Sequence, residues 1–154
     1  MRVYRIAQEK YARDLSGEGA RRFGGRWNRK GVSMLYTAEN SSLAMLEKLV
    51  HIPPYVFPKG LKILVLEFDD TTVIEEIHIN ALPSDWMYRS EHSKVLDIGD
   101  QFIAEGKYMA LKVPSAINTI DNNVLINPRH PDFLNVQIID ELSIEFDKRL
   151  LREV

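Results

Sequence analysis

The stretch Leu61-Lys62-Ile63-Leu64-Val65-Leu66-Glu67-Phe68 is the most strand-like segment of the chain, and it is apolar enough to predict a central strand. Shorter strand patterns lie on both sides of it: Arg2–Ile6, Val32–Ala38, Val73–Ile79, Met109–Val113, Val124–Ile126, Val136–Ile139 and Leu142–Phe146. Helical patterns are fewer: a turn at Tyr11–Leu15, a helix over Leu43–Val50, a short one after Pro83–Trp86, and an amphipathic helix over Ser90–Glu105. Because strands and helices do not alternate regularly, a doubly wound parallel sheet is disfavoured. The pattern predicts an α+β domain with a mainly antiparallel sheet.

Length and composition indicate one globular domain over residues 1–154. Hydrophobic residues make up 45% of the chain and charged residues 27%, and no window is apolar enough to predict a membrane span. The first ten residues carry charges and no apolar core, so we expect no signal peptide and a cytoplasmic protein. The chain has no cysteine, which excludes disulfides and thiolate metal sites. A formal charge of −2 argues against direct binding to nucleic acid.

A basic, glycine-bearing segment precedes the second predicted strand. Six basic residues and four glycines lie between Arg13 and Lys30, around the sequence Gly24-Gly25-Arg26-Trp27-Asn28. Glycine lets a backbone approach a ligand closely, and arginine matches phosphate oxygens with two parallel hydrogen bonds. A charge run by itself is more often a solvated, flexible loop. Trp27 is the feature that argues for order, because its large apolar ring is costly to expose.

Glu47 has an unusual position on the predicted helix Leu43–Val50. A helical wheel places Leu43, Leu46, Leu49 and Val50 on one apolar stripe, with Glu47 at its flank and Lys48 pointing well away. Glutamate is rarely buried without a partner. Helical position therefore supports two interpretations equally: a site carboxylate, or a side chain that reaches past the stripe into solvent.

Common catalytic signatures are missing from the chain: it has no phosphate-binding P-loop, no serine nucleophile elbow and no zinc-binding helix motif. The histidines His51, His78, His92 and His130 have no ligand-like spacing, so structural roles are favoured for all four. From the residues alone, the basic loop and Glu47 suit a phosphate-containing ligand and a cationic transition state. They do not specify the reaction.

An ordered set of motifs resembles the RES domain family, which is named after Arg, Glu and Ser. The motifs are Val3–Arg5, Gly24–Asn28, Leu35–Ala38, Ser42–Glu47, Val113–Ser115, and Asn123–Pro128 with His130-Pro131. They cover nearly the whole chain in the family's order. Each motif is weak by itself, whereas the ordered set is specific.

The resemblance implies an ADP-ribosyltransferase-like fold and a toxin of a bacterial toxin–antitoxin pair, neutralised by an Xre-like antitoxin. It implies depletion of NAD by cleavage of the nicotinamide–ribose bond, through hydrolysis or phosphorolysis, as in an NAD glycohydrolase or an NAD phosphorylase. NAD is then a substrate, inorganic phosphate is the co-substrate of phosphorolysis, and neither a metal nor a separate cofactor is expected.

The resemblance also implies roles for six residues. Arg26, Glu47 and Ser115 are the predicted catalytic residues. Arg5 and Arg26 would clamp the pyrophosphate of NAD, and Tyr36 would stack on nicotinamide or donate a hydrogen bond. Glu47 would stabilise the positive charge on ribose, while Ser115 and Asn127 would fix the ribose or the phosphate acceptor. Asn127 also has a sufficient explanation as a turn residue.

Three alternatives stay open at the sequence level. The ADP-ribose could be transferred to a protein or nucleic acid. The basic loop could instead serve an RNA-directed toxin, which the net charge disfavours. An inactive module that only binds its antitoxin is opposed by the presence of every matched residue. The sequence neither requires nor excludes a homodimer.

Overall fold

The computed structural model describes residues 1–53, 56–88 and 92–151, and within these ranges the chain forms a mixed α+β fold. The α-helices are α1 (Glu9–Ala12), α2 (Glu18–Phe23), α3 (Ser41–Leu49) and α4 (Ser93–Glu105). The strands are β1 (Arg2–Gln8), β2 (Leu35–Ala38), β3 (Leu61–Glu67), β4 (Glu75–Glu76), β5 (Ala110–Pro114), β6 (Asn122–Ile126) and β7 (Gln137–Ile144). No α-helix in these ranges is long and apolar enough to cross a membrane.

The strands form one sheet in the order β4-β5-β6-β2-β1-β3-β7. Every pairing is antiparallel except the short parallel contact between β4 and β5. Strand β3 lies between β1 and β7, which confirms that Leu61–Glu67 is an interior strand. The α+β fold with a mainly antiparallel sheet is likewise confirmed.

Alternating side chains give the sheet two buried faces. Val3, Leu64 and Val124 belong to one apolar cluster. Leu125 belongs to the other, where α4 contributes Val95 and Phe102 alongside two buried tryptophans, Trp27 and Trp86. Because neighbouring residues of a strand point to opposite faces, Asn123 and Tyr36 fall on the face that carries the tryptophans. Both residues border the candidate site.

Strands β1 and β2 separate soon after they meet, and the separation opens a cavity in the sheet. Their ladder has one register pair, Tyr4 with Ala38, whereas β1 pairs with β3 along its whole length. Beyond that pair, Arg5 and Ile6 of β1 face the cavity, as do Tyr36 and Thr37 of β2. Helix α3 packs against both strands next to this opening.

The basic segment after α1 is more regular than predicted. The glycine-rich stretch was expected to break regular structure, but α2 begins at Glu18 and includes Arg21 and Arg22. Glu18 forms ion pairs with Arg21 three residues on and with Arg22 four residues on, the two spacings that place side chains together on a helix. These arginines therefore support a helix rather than a loose loop.

The prediction of two separate strands near the C-terminus was wrong. Val136–Ile139 and Leu142–Phe146 were predicted as two strands, but one strand, β7, covers most of both. Val65 pairs with Asp140 and Leu66 with Ile138, so Ile139 is an extra residue in a bulge. The bulge shifts the alternation of side chains, which explains why the sequence looked like two segments.

Two further predictions overestimated regular structure. The strand expected over Val73–Ile79 is reduced to the two residues of β4, and the chain after Pro83 forms hydrogen-bonded turns without an α-helix. Trp86 is buried there. Helix α4 ends at Glu105, as predicted, and is followed by Gly106 in the left-handed conformation, whereas residues 90 and 91 of the predicted helix lie outside the described ranges.

Candidate active site

A cavity of about 810 Å³ lies where β1 and β2 diverge, and it is closed by α3 and by the Gly24–Lys30 loop. Four of the six predicted site residues line it: Arg5, Arg26, Tyr36 and Glu47. They come from two strands, one loop and one helix, so the fold assembles the site from segments that are distant in sequence.

The loop that carries Arg26 is anchored from beneath by three residues. Trp27 is buried between α4 and the sheet. Asn28 is buried too, and its Nδ2 lies within hydrogen-bond distance of the carbonyls of Ala20 and Val32, at 2.9 and 3.0 Å. The Tyr36 hydroxyl donates to Asn28 Oδ1 at 2.7 Å and accepts from the Trp27 amide at 3.0 Å. Arg26 is therefore presented by an ordered loop and not by a mobile one.

Gly25 explains why the loop needs glycine beside Arg26. A Cβ at this position would lie 2.5 Å from the Tyr36 hydroxyl and 2.9 Å from Asn28 Oδ1. The close approach of the backbone to this hydrogen-bonded pair leaves no room for a side chain.

The Arg26 guanidinium lies between an aromatic ring and the acid of the site. Its Nη1 donates to the Trp86 carbonyl at 2.8 Å, and its Cζ lies 5.8 Å from the centroid of the Trp86 ring. Burial lowers the pKa of Arg26 from its ordinary value, while the nearby charge of Glu47 acts in the opposite direction. Part of the Arg26 charge is thus balanced by Glu47 across the cavity.

Glu47 is held by two hydrogen bonds to the same oxygen. Its Oε1 accepts from Ser115 Oγ at 2.9 Å and from Asn123 Nδ2 at 2.5 Å. In the part of the chain that the structure describes, Oε2 has no hydrogen bond, so it is the oxygen left for a ligand. The arrangement fixes a carboxylate at the cavity wall with one oxygen unused.

The face of α3 that carries Glu47 differs from the prediction. Leu43 and Ala44 are buried, whereas Leu46 and Val50, predicted in the apolar stripe, are 39% and 57% exposed. The buried face is therefore rotated so that Glu47, one turn beyond Leu43 and Ala44, is directed at the sheet. The interpretation of Glu47 as an acid that reaches past the helix into solvent is excluded.

Ser115 and Asn127 are buried and do not line the cavity. Ser115 Oγ donates to Glu47, and it accepts from the amides of Ile117 and Asn118 at 3.0 and 3.1 Å. Ser115 thus contacts the site through Glu47 and through the backbone of Ile117, which lines the cavity. Asn127 Oδ1 accepts from the Arg129 amide at 3.0 Å, which is the turn role that the sequence also allowed.

Arg5 enters the cavity from β1 with one nitrogen unsatisfied. Its Nη2 donates to the Asp14 carbonyl at 3.3 Å, while Nε is buried and has no hydrogen-bond partner among the described residues. Burial lowers the pKa of Arg5, and the charge of Asp14 offsets this in part. A buried guanidinium nitrogen without an acceptor is unusual, and it marks a place where a ligand oxygen fits.

Two residues at the site were missed from the sequence. Asn123 belongs to a matched motif but received no role, although its amide holds Glu47. Lys48 was predicted to point away from the apolar stripe, but it is half-buried and lines the cavity. The signal for Asn123 was its position at the start of a strand whose next residues are buried; no comparable signal in the sequence indicated Lys48.

The remaining basic and histidine side chains have mainly structural contacts. Arg29 borders the cavity but pairs with Asp97 and Asp100 of α4, at 2.7 and 2.8 Å. His130 Nδ1 accepts from the Asp132 amide at 3.1 Å and caps the 3₁₀ turn Pro131–Asn135. The structural role predicted for His130 agrees with its contact, and the ion pairs of Arg29 join its loop to α4.

Comparison with known proteins identifies the family. The model of the RES domain matches residues 2–147. The chain belongs to the RES domain family. Curated relatives include "Toxin Res" of Yersinia enterocolitica, 35% identical over 152 residues, which cover 97% of this chain and 99% of the relative. "Toxin Res" of Pseudomonas putida is 38% identical over 127 residues, covering 81% and 85%.

Two further proteins resemble this chain: one is named after an activity, and the other is a solved structure with a similar fold. The "Prs ADP-ribosylating toxin" of a Sphingobium strain is 32% identical to this RES domain over 154 residues, covering 99% of this chain and 96% of the relative. The M. tuberculosis MbcT–MbcA toxin–antitoxin complex contains a chain that superposes with a TM-score of 0.68 at 18% identity, covering 94% of this chain and 84% of that one. The second likeness supports the fold alone.

Proposed function

We propose that this RES domain is the toxin of a bacterial toxin–antitoxin pair and that it cleaves the nicotinamide–ribose bond of NAD. The observation that carries the proposal is Glu47, a carboxylate that lines the same cavity as Arg26. Its Oε1 is fixed by Ser115 and Asn123, while its Oε2 has no hydrogen bond within the described residues. Full-length relatives named "Toxin Res" support the toxin role. An Xre-like antitoxin is the expected partner.

The chemistry follows from the charges that develop in the reaction. As the C–N bond breaks, nicotinamide leaves with the bonding electron pair, and the ribose C1 becomes cationic. A fixed carboxylate beside that carbon lowers the barrier, because it needs no reorganisation when the charge appears. Oxygen of phosphate or water then bonds to C1, giving ADP-ribose 1-phosphate, or ADP-ribose with release of a proton. NAD is consumed as substrate, and the scheme requires no metal ion or resident cofactor.

The other cavity residues have supporting roles in this scheme. Arg26 binds anionic oxygens of NAD and faces Glu47. The ring of Tyr36 forms a wall for nicotinamide, while its hydroxyl is engaged with the Arg26 loop. Ser115 is a positioning residue, since it contacts Glu47 and not the cavity. Asn127 has no ligand contact in the scheme.

The deciding experiment incubates purified protein with NAD, with and without inorganic phosphate, and identifies the products by mass. We expect nicotinamide in both reactions and ADP-ribose 1-phosphate in the first if phosphate is the acceptor. Glu47→Ala should lower the rate roughly a hundredfold or more while the protein stays folded. Glu105→Ala, a matched change at an exposed position of α4, should keep the parent rate. Parent-level NAD loss by Glu47→Ala would contradict the role of Glu47.

A second function is favoured by the Sphingobium relative, whose name describes ADP-ribosylation. In that case a protein side chain replaces phosphate or water as the acceptor. NAD labelled on the adenine separates the two functions. Only transfer leaves label on macromolecules, whereas cleavage leaves all of it on small products.

A further inference from the structure

Lys48 is a cation that the fold holds at the cavity without a partner. It follows Glu47 on α3, it is half-buried, and it lines the cavity. In the ranges that the structure describes, its Nζ makes no hydrogen bond and no ion pair. Lysine is seldom buried unless it is paired. A half-buried, unpaired lysine at a cavity wall is therefore a candidate ligand contact.

Arg5 is the cation that accompanies it. The Arg5 guanidinium lines the same cavity from β1, and its buried Nε has no acceptor in the part of the chain that the structure describes. Burial lowers the pKa of Lys48, and the charge of Arg5 lowers it further, so the two side chains are close enough to repel each other. Among the described residues, no carboxylate contributes to the pKa shift of Lys48. The Asp14 carboxylate near Arg5 already accepts from the Ser16 amide and hydroxyl.

Arg26 has different neighbours from Arg5. The charged or titratable side chains that influence Arg26 are Glu47 and Tyr36, whereas those around Arg5 are Asp14 and Lys48. A carboxylate thus acts on Arg26, whereas a second cation acts on Lys48. A single clamp made of Arg5 and Arg26, as the sequence suggested, fits this division less well than two separate roles.

We propose that Arg5 of β1 and Lys48 of α3 form a phosphate-binding subsite of the cavity, with a role separate from that of Arg26 and Glu47. The arginine supplies planar, directional donors and the lysine a compact charge, and both suit phosphate oxygens. The subsite deepens the proposed function, on which its biological meaning rests. Its ligand is a phosphate group, which NAD supplies within its pyrophosphate and the medium supplies as inorganic phosphate.

Direct binding tests the subsite without any turnover. Calorimetric titrations would use inorganic phosphate, pyrophosphate and ADP-ribose, each with the wild-type protein and three variants. Lys48→Met keeps the apolar stem and removes the charge, Lys48→Arg keeps the charge, and Lys107→Met is a control at an exposed position beyond α4. We expect Lys48→Met to weaken at least one ligand roughly tenfold to a hundredfold, because a hydrogen bond to a charged group is lost. Lys48→Arg should restore most of that loss, and Lys107→Met should bind as the wild type does.

Steady-state kinetics then separates the two sources of phosphate. A rise in the KM for inorganic phosphate alone assigns the subsite to the acceptor, and a rise in the KM for NAD with weaker ADP-ribose binding assigns it to the pyrophosphate. Either result supports the subsite. Wild-type affinity of folded Lys48→Met for all three ligands overturns it, as does a wild-type protein that binds none of them. Lys48→Gln replaces Lys48→Met if the latter does not fold.

The failure of the proposed function would look different. A wild-type protein that releases no nicotinamide, yet binds these anions in a Lys48-dependent way, would contradict the NAD chemistry and leave the subsite intact. A protein that cleaves NAD normally with Lys48→Met, and binds all three ligands as the wild type does, would contradict the subsite alone.

Discussion

Ser115 Oγ donates a 2.9 Å hydrogen bond to Glu47 Oε1 across 68 positions of the chain, and it does so from a fully buried site. The serine lies just after β5 and the glutamate on α3, so the bond ties the helix to the far side of the sheet. The conformation of the acid therefore depends on a residue that a ligand does not reach.

Ser115→Ala is expected to reduce kcat for NAD cleavage by roughly tenfold or more and to leave KM for NAD nearly unchanged. The variant removes one of the two donors that hold Glu47 but changes no cavity surface. It also leaves the amides of Ile117 and Asn118 without their acceptor, at a cost of about 1–3 kcal/mol in stability. Initial rates of nicotinamide release and urea unfolding measure the two effects.

Ser143→Ala is the matched control, because within the described residues the single hydrogen bond of Ser143 Oγ is the one it accepts from Lys62 Nζ on the surface of β7. It should keep both rate and stability close to the parent values. A Ser115→Ala variant that is destabilised but has the parent kcat would show that Asn123 alone suffices to position Glu47.

Arg26→Ala is expected to weaken NAD binding roughly tenfold to a hundredfold with the fold retained. The variant removes charge-assisted hydrogen bonds to the ligand, while Trp27 and Asn28 continue to anchor the loop. Arg22→Ala removes an exposed arginine that pairs with Glu18, and it should bind NAD as the parent does. Calorimetry on each protein tests this, and unchanged NAD affinity of Arg26→Ala would exclude a role for Arg26 in binding NAD.

Local patterns were sufficient for much of the fold but not for the cavity. The apolar run at Leu61, the helix with its cap at Asn40 and the stop at Gly106 are local signals, and the structure has all three. The cavity arises because β1 and β2 share the single register pair Tyr4–Ala38. That pairing depends on which strands meet across the sheet, and hydrophobic alternation carries no such information.

The candidate site, too, could be predicted from the sequence only in part. Arg26, Tyr36 and Glu47 lie in motifs that the family resemblance singles out, and they do share the cavity. Lys48 could not be placed, because the rotation of α3 is set by how Leu43 and Ala44 pack on β1 and β2. A helical wheel ranks faces by hydrophobicity alone, and the stripe that it selected includes Leu46 and Val50, which the structure leaves exposed.

Tyr36→Phe is expected to destabilise the protein by about 1–3 kcal/mol near neutral pH, because it leaves the Trp27 amide and Asn28 Oδ1 without their partner. Burial raises the pKa of Tyr36 above its ordinary value of 10.0, since the phenolate is disfavoured inside the protein. In the unfolded chain Tyr36 ionises near its ordinary pKa, whereas in the folded protein it stays protonated at that pH. Wild-type stability thus falls as pH rises above that value.

The stability difference between wild type and Tyr36→Phe should therefore narrow at alkaline pH. Urea unfolding between neutral pH and pH values above the ordinary tyrosine pKa measures it. Tyr11→Phe, at an exposed position on α1, is the control and should follow the wild type throughout. A difference that is constant with pH would contradict the buried, protonated state of Tyr36.

Gly99→Ala is expected to destabilise the protein by about 1–3 kcal/mol, although the same change inside a helix ordinarily stabilises by up to about 1 kcal/mol. Gly99 lies in the middle of α4, and a Cβ there would come within 1.7 Å of the Trp27 carbonyl oxygen. The contact is with backbone, so α4 and the Arg26 loop would have to separate. Gly19→Ala on α2 is the control, because nothing lies within 4 Å of its Cβ, and it should be neutral or stabilising. Urea unfolding gives the sign of each change.

Since the Arg26 loop rests on α4 through Trp27, the loss of stability in Gly99→Ala should be accompanied by weaker NAD binding. A stabilised variant with the parent affinity for NAD would contradict this packing.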